Sequence, residues 1–170
     1  MDTRLYIDIE WHGEKMTKLI VMSFKPLYAL KIVRGEKDCE VRTYFGIVEQ
    51  GDRVIIYASS PRRAFLGVFE VHDVLVGDYN NVVWYLNRCC VMFDEDNWRF
   101  VEEHYARSTR KLMVIKIGKV RVFPREIALH EVKSYIPSFR PPLSYTLARY
   151  ELVNVLRQIL GSSVWEDLIT

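Results

Sequence analysis

Apolar runs of strand length recur along the chain, and they constrain its fold most. The clearest occupy 19–24 (LIVMSF), 53–59 (RVIIYAS), 64–76 (AFLGVFEVHDVLV) and 111–123 (KLMVIKIGKVRVF). Each is rich in β-branched or aromatic residues and is shorter than a membrane span, so each predicts a strand. Gly67 predicts a bulge inside the third run, and Pro124 is expected to end the fourth.

Two weaker segments complete the predicted strands. Alternation of apolar and polar residues predicts one over 4–11, and another is expected over 39–44. Apolar residues at helical spacing predict helices over 27–33, 79–86, 94–105 and 144–160. About six strands with a few helices indicate an α+β domain with a mixed or closed sheet.

Turn and cap residues mark the ends of these elements. Gly35 is expected in the left-handed conformation just after the first helix. Asp94 is expected to begin the helix over 94–105, and Ser144 is a natural N-cap for the helix over 144–160. The segment 136–142 (IPSFRPP) contains three prolines and predicts a loop.

Length and composition limit the class of protein. A chain of 170 residues, 49% hydrophobic, can bury its own core, and we expect one domain over 16–170 with an extension at 1–15. The net charge of +2 does not by itself indicate nucleic-acid binding, so any basic patch must be local. No signal peptide or membrane-length apolar run is evident, and a cytoplasmic location is expected.

Cysteines and histidines indicate neither a disulfide framework nor a metal site. The three cysteines are an odd number, two of them adjacent, which favours reduced thiols. We expect Cys39 to be a small buried apolar residue and the tract 84–92 to be core. The four histidines are far apart, so no metal and no cofactor is expected.

Five of the eight residues in the stretch 35–42 (GEKDCEVR) are charged. Such a stretch is either a solvated turn or the polar wall of a binding cleft. If it were a regular strand, Lys37 and Glu40 would point to opposite faces. A bulge, or the turn out of the preceding helix, would let both enter one cleft.

Four blocks in order resemble the ASCH family of the PUA-like superfamily. They are Ser23-Phe24-Lys25-Pro26, the pattern G-x-K-x-x-E-x-R from Gly35 to Arg42, the block Gly51-Asp52-Arg53-Val54 with Tyr57 to Pro61, and Gly67-x-Phe69-x-Val71. The resemblance covers residues 16 to about 76, and 111–123 and 141–145 look like the end of the same domain. It implies a PUA-like mixed β-barrel of five to six strands with flanking helices.

The resemblance also implies a cleft that contacts RNA or another nucleic acid. Lys37 is expected to hold a phosphate or, if desolvated, to act as base or nucleophile; a solvated lysine is the alternative. Glu40 either orients Lys37 or reads a base edge, unless it forms only a salt bridge. Arg42 is a phosphate clamp or a structural ion pair.

Further ligand candidates lie outside this motif. Arg62 and Arg63, at a hairpin tip, are expected to reach phosphates or simply to be solvated. Tyr44 and its neighbour Phe45 either stack a base or pack in the core. The ligand-binding candidates are Lys25, Lys37, Glu40, Arg42, Tyr44, Tyr57, Ser59, Ser60, Arg62, Arg63, Arg140, Ser144 and Tyr145, and the catalytic candidates are Lys37, Glu40 and Ser144.

Two enzymatic branches of the family leave catalysis open. One resembles an amidohydrolase of acetylated cytidine that uses the motif lysine, a threonine three residues later and a distant glutamate; Glu40 stands at the threonine position. The other is a ribonuclease with the same lysine and with Tyr and Ser partners, for which Tyr57, Ser59 and Ser144 are candidates. RNA binding in a basic cleft is expected, with a metal-independent hydrolase of RNA or a modified nucleoside as the alternative. A protein-interaction module built on 1–15 and 94–106 is a third hypothesis.

Overall fold

A computed structural model describes residues 17–170 of the chain. In chain order the elements are β1 (Leu19–Phe24), α1 (Pro26–Val33), β2 (Cys39–Thr43), β3 (Arg53–Ala58), β4 (Ala64–Gly77), α2 (Tyr79–Cys89), α3 (Glu95–Tyr105), β5 (Leu112–Ala128), α4 (Leu129–Tyr135), β6 (Tyr145–Leu147), α5 (Tyr150–Leu160) and α6 (Ser162–Ile169). The predicted strand at 4–11 and the extension at 1–15 lie outside the described residues. No helix in the described range is long and apolar enough to cross a bilayer.

The six described strands form one mixed sheet in the order β2-β5-β4-β3-β1-β6. The β1–β3 pair is parallel, and the other pairs are antiparallel. Register shifts interrupt the long β4–β5 ladder at three places. Because bulges increase twist and bend a strand, they let this sheet curl into an open half-barrel. The predicted α+β class with about six strands and flanking helices is confirmed.

The predicted bulge at Gly67 has a steric cause. A β-carbon added there would lie 2.5 Å from the Arg121 carbonyl oxygen on β5. Only glycine permits so close a backbone approach without movement of the neighbouring strand. The register of β4 shifts against both β3 and β5 at this point.

Apolar side chains fill three clusters around the sheet. One face packs against α4, α5 and α6, and the opposite face, inside the curl, packs against α1. A third cluster at the β2–β5 edge packs against α2 and α3. This third cluster is the one that brings α3 beside β2, where the motif residues lie.

Two of the predicted boundaries are wrong. The strand does not end at Pro124 but continues to Ala128, because Pro124 lies in a register break where its missing N–H is not needed. The predicted helix over 144–160 begins only at Tyr150, with Arg149 as N-cap, so Ser144 is not its cap. Residues 145–147 instead pair with β1, which satisfies their backbone groups at the sheet edge. Helices α4 and α6 were not predicted.

The expectation of unpaired cysteines is also wrong. Cys39 on β2 and Cys90, just after α2, form a disulfide with a Cα–Cα distance of 6.0 Å. An odd cysteine count says nothing about which two are neighbours in space, and packing of α2 on β2 makes these two neighbours. Asp38, Cys39 and Cys90 are also the one group in residues 17–170 with ligand atoms close enough for a metal, but its sulfurs are bonded to each other.

The disulfide should stabilise the fold because it closes a loop and so lowers the entropy of the unfolded chain. Cys39 and Cys90 are 51 residues apart in sequence, and loop-closure entropy for such a loop predicts a contribution of about 4 kcal/mol. We therefore expect Cys90→Ser to lower the free energy of unfolding by several kcal/mol. Denaturant unfolding monitored by tryptophan fluorescence measures it.

Cys89 provides the matched control, since it is the free cysteine next to the bonded one. Cys89→Ser should leave the unfolding free energy nearly unchanged. A reducing agent should destabilise the wild type and have no such effect on Cys90→Ser. Equal stability of the two serine variants would contradict a structural role for the disulfide.

Candidate functional site

A cavity of about 350 Å³ opens between the ends of β1 and β2 and the helices α1 and α3. We call it the motif cavity. Its volume falls in the range of small-ligand sites. Its charged lining residues are Lys25, Lys37, Glu40 and Arg42, its aromatic ones are Phe24, Tyr28, Phe45, Phe100 and Tyr105, and its polar ones are Ser23, Thr43, Asn97 and Ser144.

The turn after α1 directs the motif into this cavity. Gly35 has φ 72°, and the Glu36 N–H donates to the Lys31 carbonyl at 2.7 Å, so the chain reverses at the helix end. The Asp38 carboxylate then accepts hydrogen bonds from the backbone N–H groups of Val91 and Met92. Since β2 begins only at Cys39, strand alternation does not apply to Lys37. The turn therefore places Lys37 and Glu40 in one cavity.

Glu40 is the centre of a buried ion triad. Its Oε2 lies 3.0 Å from Lys37 Nζ, and its Oε1 accepts from Arg42 Nε at 2.7 Å. The three side chains are 6%, 11% and 12% exposed for Lys37, Glu40 and Arg42. Burial alone would raise the pKa of Glu40, but the charges of Lys37 and Arg42 lower it below its ordinary value. Glu40 is therefore an ionised, orienting group and a weak base.

Lys37 has contacts on every side that suit its ammonium form. Its Nζ donates to Asn97 Oδ1 at 2.8 Å and lies 4.6 Å and 5.5 Å from the ring centres of Tyr28 and Phe93. The buried Asn97 amide in turn donates to Asp94 Oδ1 at 2.7 Å, which fixes its orientation. These contacts hold the Lys37 side chain in the wall of the cavity.

Arg42 joins β2 to the opposite wall. Its Nη2 donates to the Ser23 carbonyl at 2.7 Å, and its Nη1 donates to Ser144 Oγ at 3.1 Å. The guanidinium also lies over the Phe24 ring at 4.9 Å. Ser23 Oγ donates to the Pro142 carbonyl at 2.6 Å, which ties the proline loop to β1. Ser144 therefore reaches the cavity as part of this network.

The rim of the cavity is less constrained than its wall. Lys25 is exposed, with its Nζ 5.0 Å from the Phe100 ring centre, and it has no ion pair with another residue in 17–170. Phe45 is 60% exposed and makes an edge contact with the Tyr145 ring. Lys25 and Phe45 are thus a cation and an aromatic face directly available to a ligand.

The motif cavity brings together Lys25, Lys37, Glu40, Arg42 and Ser144 among the predicted site residues. The two predicted tyrosines nearby, Tyr44 and Tyr145, lie beside it, and the Tyr145 hydroxyl is buried without a hydrogen-bond partner in the described part of the chain. Ser59 lies at the end of β3, where its N–H donates to the Phe24 carbonyl.

Other predicted residues lie elsewhere. Tyr57 is buried against Phe65 on the opposite face of the sheet. Ser60 is in the turn that leads to Arg62 and Arg63, which line a separate cavity beside α4. Arg62 is paired with Glu126. Arg140 lines another cavity, which is called the second cavity below.

Sequence reasoning missed the contribution of α3. Asn97, Phe100, Val101 and Tyr105 line the cavity from one side of this helix. The polar Asn97 stands at a buried position in line with Val101 and Tyr105, at intervals of four residues. A polar residue on the buried stripe of a predicted helix was the available signal.

The family model that matches this chain is the ASCH domain, over residues 22–120, which is more than half of its length. The chain belongs to the ASCH domain family. The resemblance seen in the sequence is thereby confirmed, and the fold of this ASCH domain is PUA-like.

Similar proteins extend this comparison beyond the matched region. A protein of Zymomonas mobilis named "ASCH domain-containing ribonuclease" is 27% identical over 146 residues, which cover 84% of this chain and 95% of the relative. The crystal structure of ASCH from Zymomonas mobilis superposes with a TM-score of 0.70 at 26% identity, covering 85% of this ASCH domain and 96% of that chain. The N-terminal domain of Staphylothermus marinus McrB superposes with a TM-score of 0.51 at 12% identity, covering 84% of this chain and 94% of that chain. This likeness shows a shared fold alone.

Neutralising Glu40 should destabilise this ASCH domain, because two buried cations would lose their counter-charge. We expect Glu40→Gln to lower the free energy of unfolding by about 3–5 kcal/mol at neutral pH. The folded pKa of Glu40 is depressed, so its contribution is present above its unfolded pKa, near the ordinary 4.5, and is lost as pH falls through the folded value. The difference in the free energy of unfolding between the wild type and Glu40→Gln should therefore become smaller below about pH 4.5.

Glu126→Gln is the matched control, since Glu126 forms an exposed pair with Arg62. Glu126→Gln should lower the free energy of unfolding by no more than about 1 kcal/mol. Denaturant unfolding at pH 7, 5 and 3 measures both variants. A Glu40→Gln effect as small as that of Glu126→Gln, or a pH-independent gap, would contradict the buried triad.

Proposed function

We propose that this ASCH domain binds single-stranded RNA and takes one nucleotide into the motif cavity. The observation that carries the proposal is that a lysine without an ion pair in residues 17–170 and an exposed aromatic ring lie together at the rim of a positively charged cavity. The predicted partner is therefore RNA, and Lys25 and Phe45 are its first contacts.

Charge favours a phosphate at this cavity. Lys25, Lys37 and Arg42 bring three positive charges, and Glu40 brings one negative charge that Lys37 and Arg42 already engage. The excess is two positive charges in a partly enclosed site, where attraction to an anion is stronger than in open water. Lys25 is free to contact a phosphate directly, and Arg42 adds its charge from the wall.

The aromatic lining favours a base. Phe45 and Phe100 flank the opening, and each base has a π-face that stacks on such rings whatever its sequence. Bases in a duplex are already stacked and paired, so a strand that inserts one base must be single-stranded. The Zymomonas mobilis relative is named a ribonuclease, which supports RNA as the polymer.

The rim residues give a direct test. Lys25→Ala should weaken RNA binding and reduce the dependence of log affinity on log salt by about 0.7, the value for one lost phosphate contact to a single strand. Phe45→Ala should weaken binding by about 1–3 kcal/mol, the range for one stacked base, with the salt dependence unchanged. Fluorescence anisotropy with a labelled single-stranded oligoribonucleotide, between 50 and 200 mM salt as is usual for such titrations, measures both.

Matched controls are available on other surfaces. Lys119 is exposed on β5, and Tyr135 is a half-exposed aromatic residue at the end of α4. Lys119→Ala and Tyr135→Ala should bind RNA as the wild type does. If the rim variants behave like these controls, the motif cavity is not the RNA site.

A ribonuclease is the second candidate function. It is favoured by the named relative and by Ser144, whose oxygen accepts from Arg42 at the cavity wall. Cleavage would form a bond from a ribose 2′-oxygen to the adjacent phosphorus and break the bond to the 5′-oxygen, leaving a 2′,3′-cyclic phosphate and a 5′-hydroxyl. The 2′-hydroxyl proton would pass to solvent, and the leaving 5′-oxygen would take a proton from solvent. Arg42 and the Ser144 hydroxyl would stabilise the charge on the phosphate oxygens. Lys37 and Glu40 would hold this pair in place.

Ser144→Ala tests that candidate. It should slow cleavage of a labelled single-stranded RNA by at least about 100-fold, as loss of one transition-state donor does, while RNA affinity changes little. Ser163→Ala, at an exposed position on α6, is the matched control and should retain full activity. Cleavage that ceases in EDTA, or that is equal in the two variants, would contradict a metal-independent role for Ser144. No observation favours the amidohydrolase alternative, because Glu40 at the threonine position is engaged by Lys37.

A further inference from the structure

A second cavity of about 500 Å³ lies beside the motif cavity. The β1–β6 ladder connects the two. Val21 and its partner Thr146 line the second cavity, and Ser23 and Ser144 line the motif cavity. Pro142 lines the second cavity and is two residues from Ser144, so the two walls are at most about 7 Å apart along the chain.

Two exposed arginines, Arg140 and Arg149, line this second cavity. Neither side chain has an ion pair or hydrogen bond with another residue in 17–170. Glu151 also lines it, which leaves one excess positive charge. Some other surface arginines of the described chain are paired with acidic residues, as in Arg62–Glu126, Arg125–Glu131 and Arg157–Glu166. Arg140 and Arg149 therefore keep their donors available for an anion.

The remaining walls suit a base or sugar. Ile136, Phe139, Leu147 and Leu152 give the cavity an apolar side. Leu143, between Pro142 and Ser144, is fully exposed and stands on the crest between the two cavities. A single strand that crosses this crest would lay apolar base surface against Leu143.

We propose that the second cavity binds the neighbouring nucleotides of the same RNA strand, with Arg140 and Arg149 on their phosphates. This inference rests on the proposed RNA-binding function. Because the two walls are so close along the chain, neighbouring nucleotides of one strand can enter both cavities. The preferred ligand is then a strand of several nucleotides, not a mononucleotide.

Affinity as a function of strand length tests the inference. The probes are 5′-fluorescein-labelled single-stranded RNAs of two and of eight nucleotides, measured by anisotropy with the whole chain. Arg140→Ala/Arg149→Ala should weaken binding of the octamer by at least about tenfold and reduce the salt slope by about 1.4, or 0.7 for each lost phosphate contact. Its affinity for the dinucleotide, whose single phosphodiester is taken up at the motif cavity, should change less than twofold.

A charge-matched control removes two positive charges elsewhere. Arg88 and Lys119 are exposed and line neither cavity. Arg88→Ala/Lys119→Ala should bind both RNAs as the wild type does.

Four outcomes would overturn the inference. If both double variants weaken the octamer equally, the effect is one of net charge only. If the arginine variant weakens the dinucleotide as much as the octamer, the arginines act at the motif cavity. If the wild type binds neither RNA, the proposed function itself fails, whereas octamer binding that is insensitive to Arg140 and Arg149 removes the second cavity alone.

Discussion

The carboxylate of Glu40, held between Lys37 and Arg42, is the constraint on which the site depends. Through Lys37 it connects β2 to Asn97 on α3, and through Arg42 it connects β2 to Ser23 and Ser144. Elements distant in sequence are thus held around one cavity by a single buried group. A buried charge left alone is costly, so each member of the triad is needed once the others are present.

This arrangement separates the residues that form the cavity from those that meet a ligand. The motif residues Lys37 and Glu40 bind each other and their neighbours, so their side chains are already fixed in the cavity wall before a ligand binds. Within residues 17–170, the side chains of Lys25 and Phe45 at the rim make a cation–π contact and an edge contact and no hydrogen bond, so they can change partners when a ligand enters. Under the proposed function, recognition depends on residues outside the G-x-K-x-x-E-x-R pattern, while the pattern fixes the shape and charge of the site.

Much of the fold was predictable because the signals were local. The strands β1, β3 and β4 follow from apolar runs. The left-handed conformation of Gly35 follows from its place after a helix, and the bulge at Gly67 follows from a glycine inside a strand. The failures were long-range in origin. Residues 145–147 read as helix in isolation and form β6 because the edge of β1 offers them partners. The Cys39–Cys90 bond likewise required knowing that α2 packs on β2.

The candidate site likewise has parts that the sequence predicted and parts that depend on contacts between distant segments. Family resemblance placed Lys37, Glu40 and Arg42 in a cleft, but alternation along a strand would have put Lys37 and Glu40 on opposite faces. Lys37 and Glu40 share one cavity because β2 begins only at Cys39, after Lys37. The spacing of apolar and polar residues does not reveal where this strand begins. Tyr57, in a block that matches the family, packs into the core because its parity on β3 directs it to the face under α4, α5 and α6. Asn97 was missed because its partner Lys37 lies 60 residues away.

The most direct test of the central claim is a crystal structure of this ASCH domain with a bound single-stranded oligoribonucleotide. The account predicts one base against Phe45 inside the motif cavity, a phosphate within hydrogen-bonding distance of Lys25, and the Lys37–Glu40–Arg42 triad unchanged. An RNA seated on the Arg62–Arg63 turn with the motif cavity empty, or one that breaks the triad to reach Lys37, would contradict it.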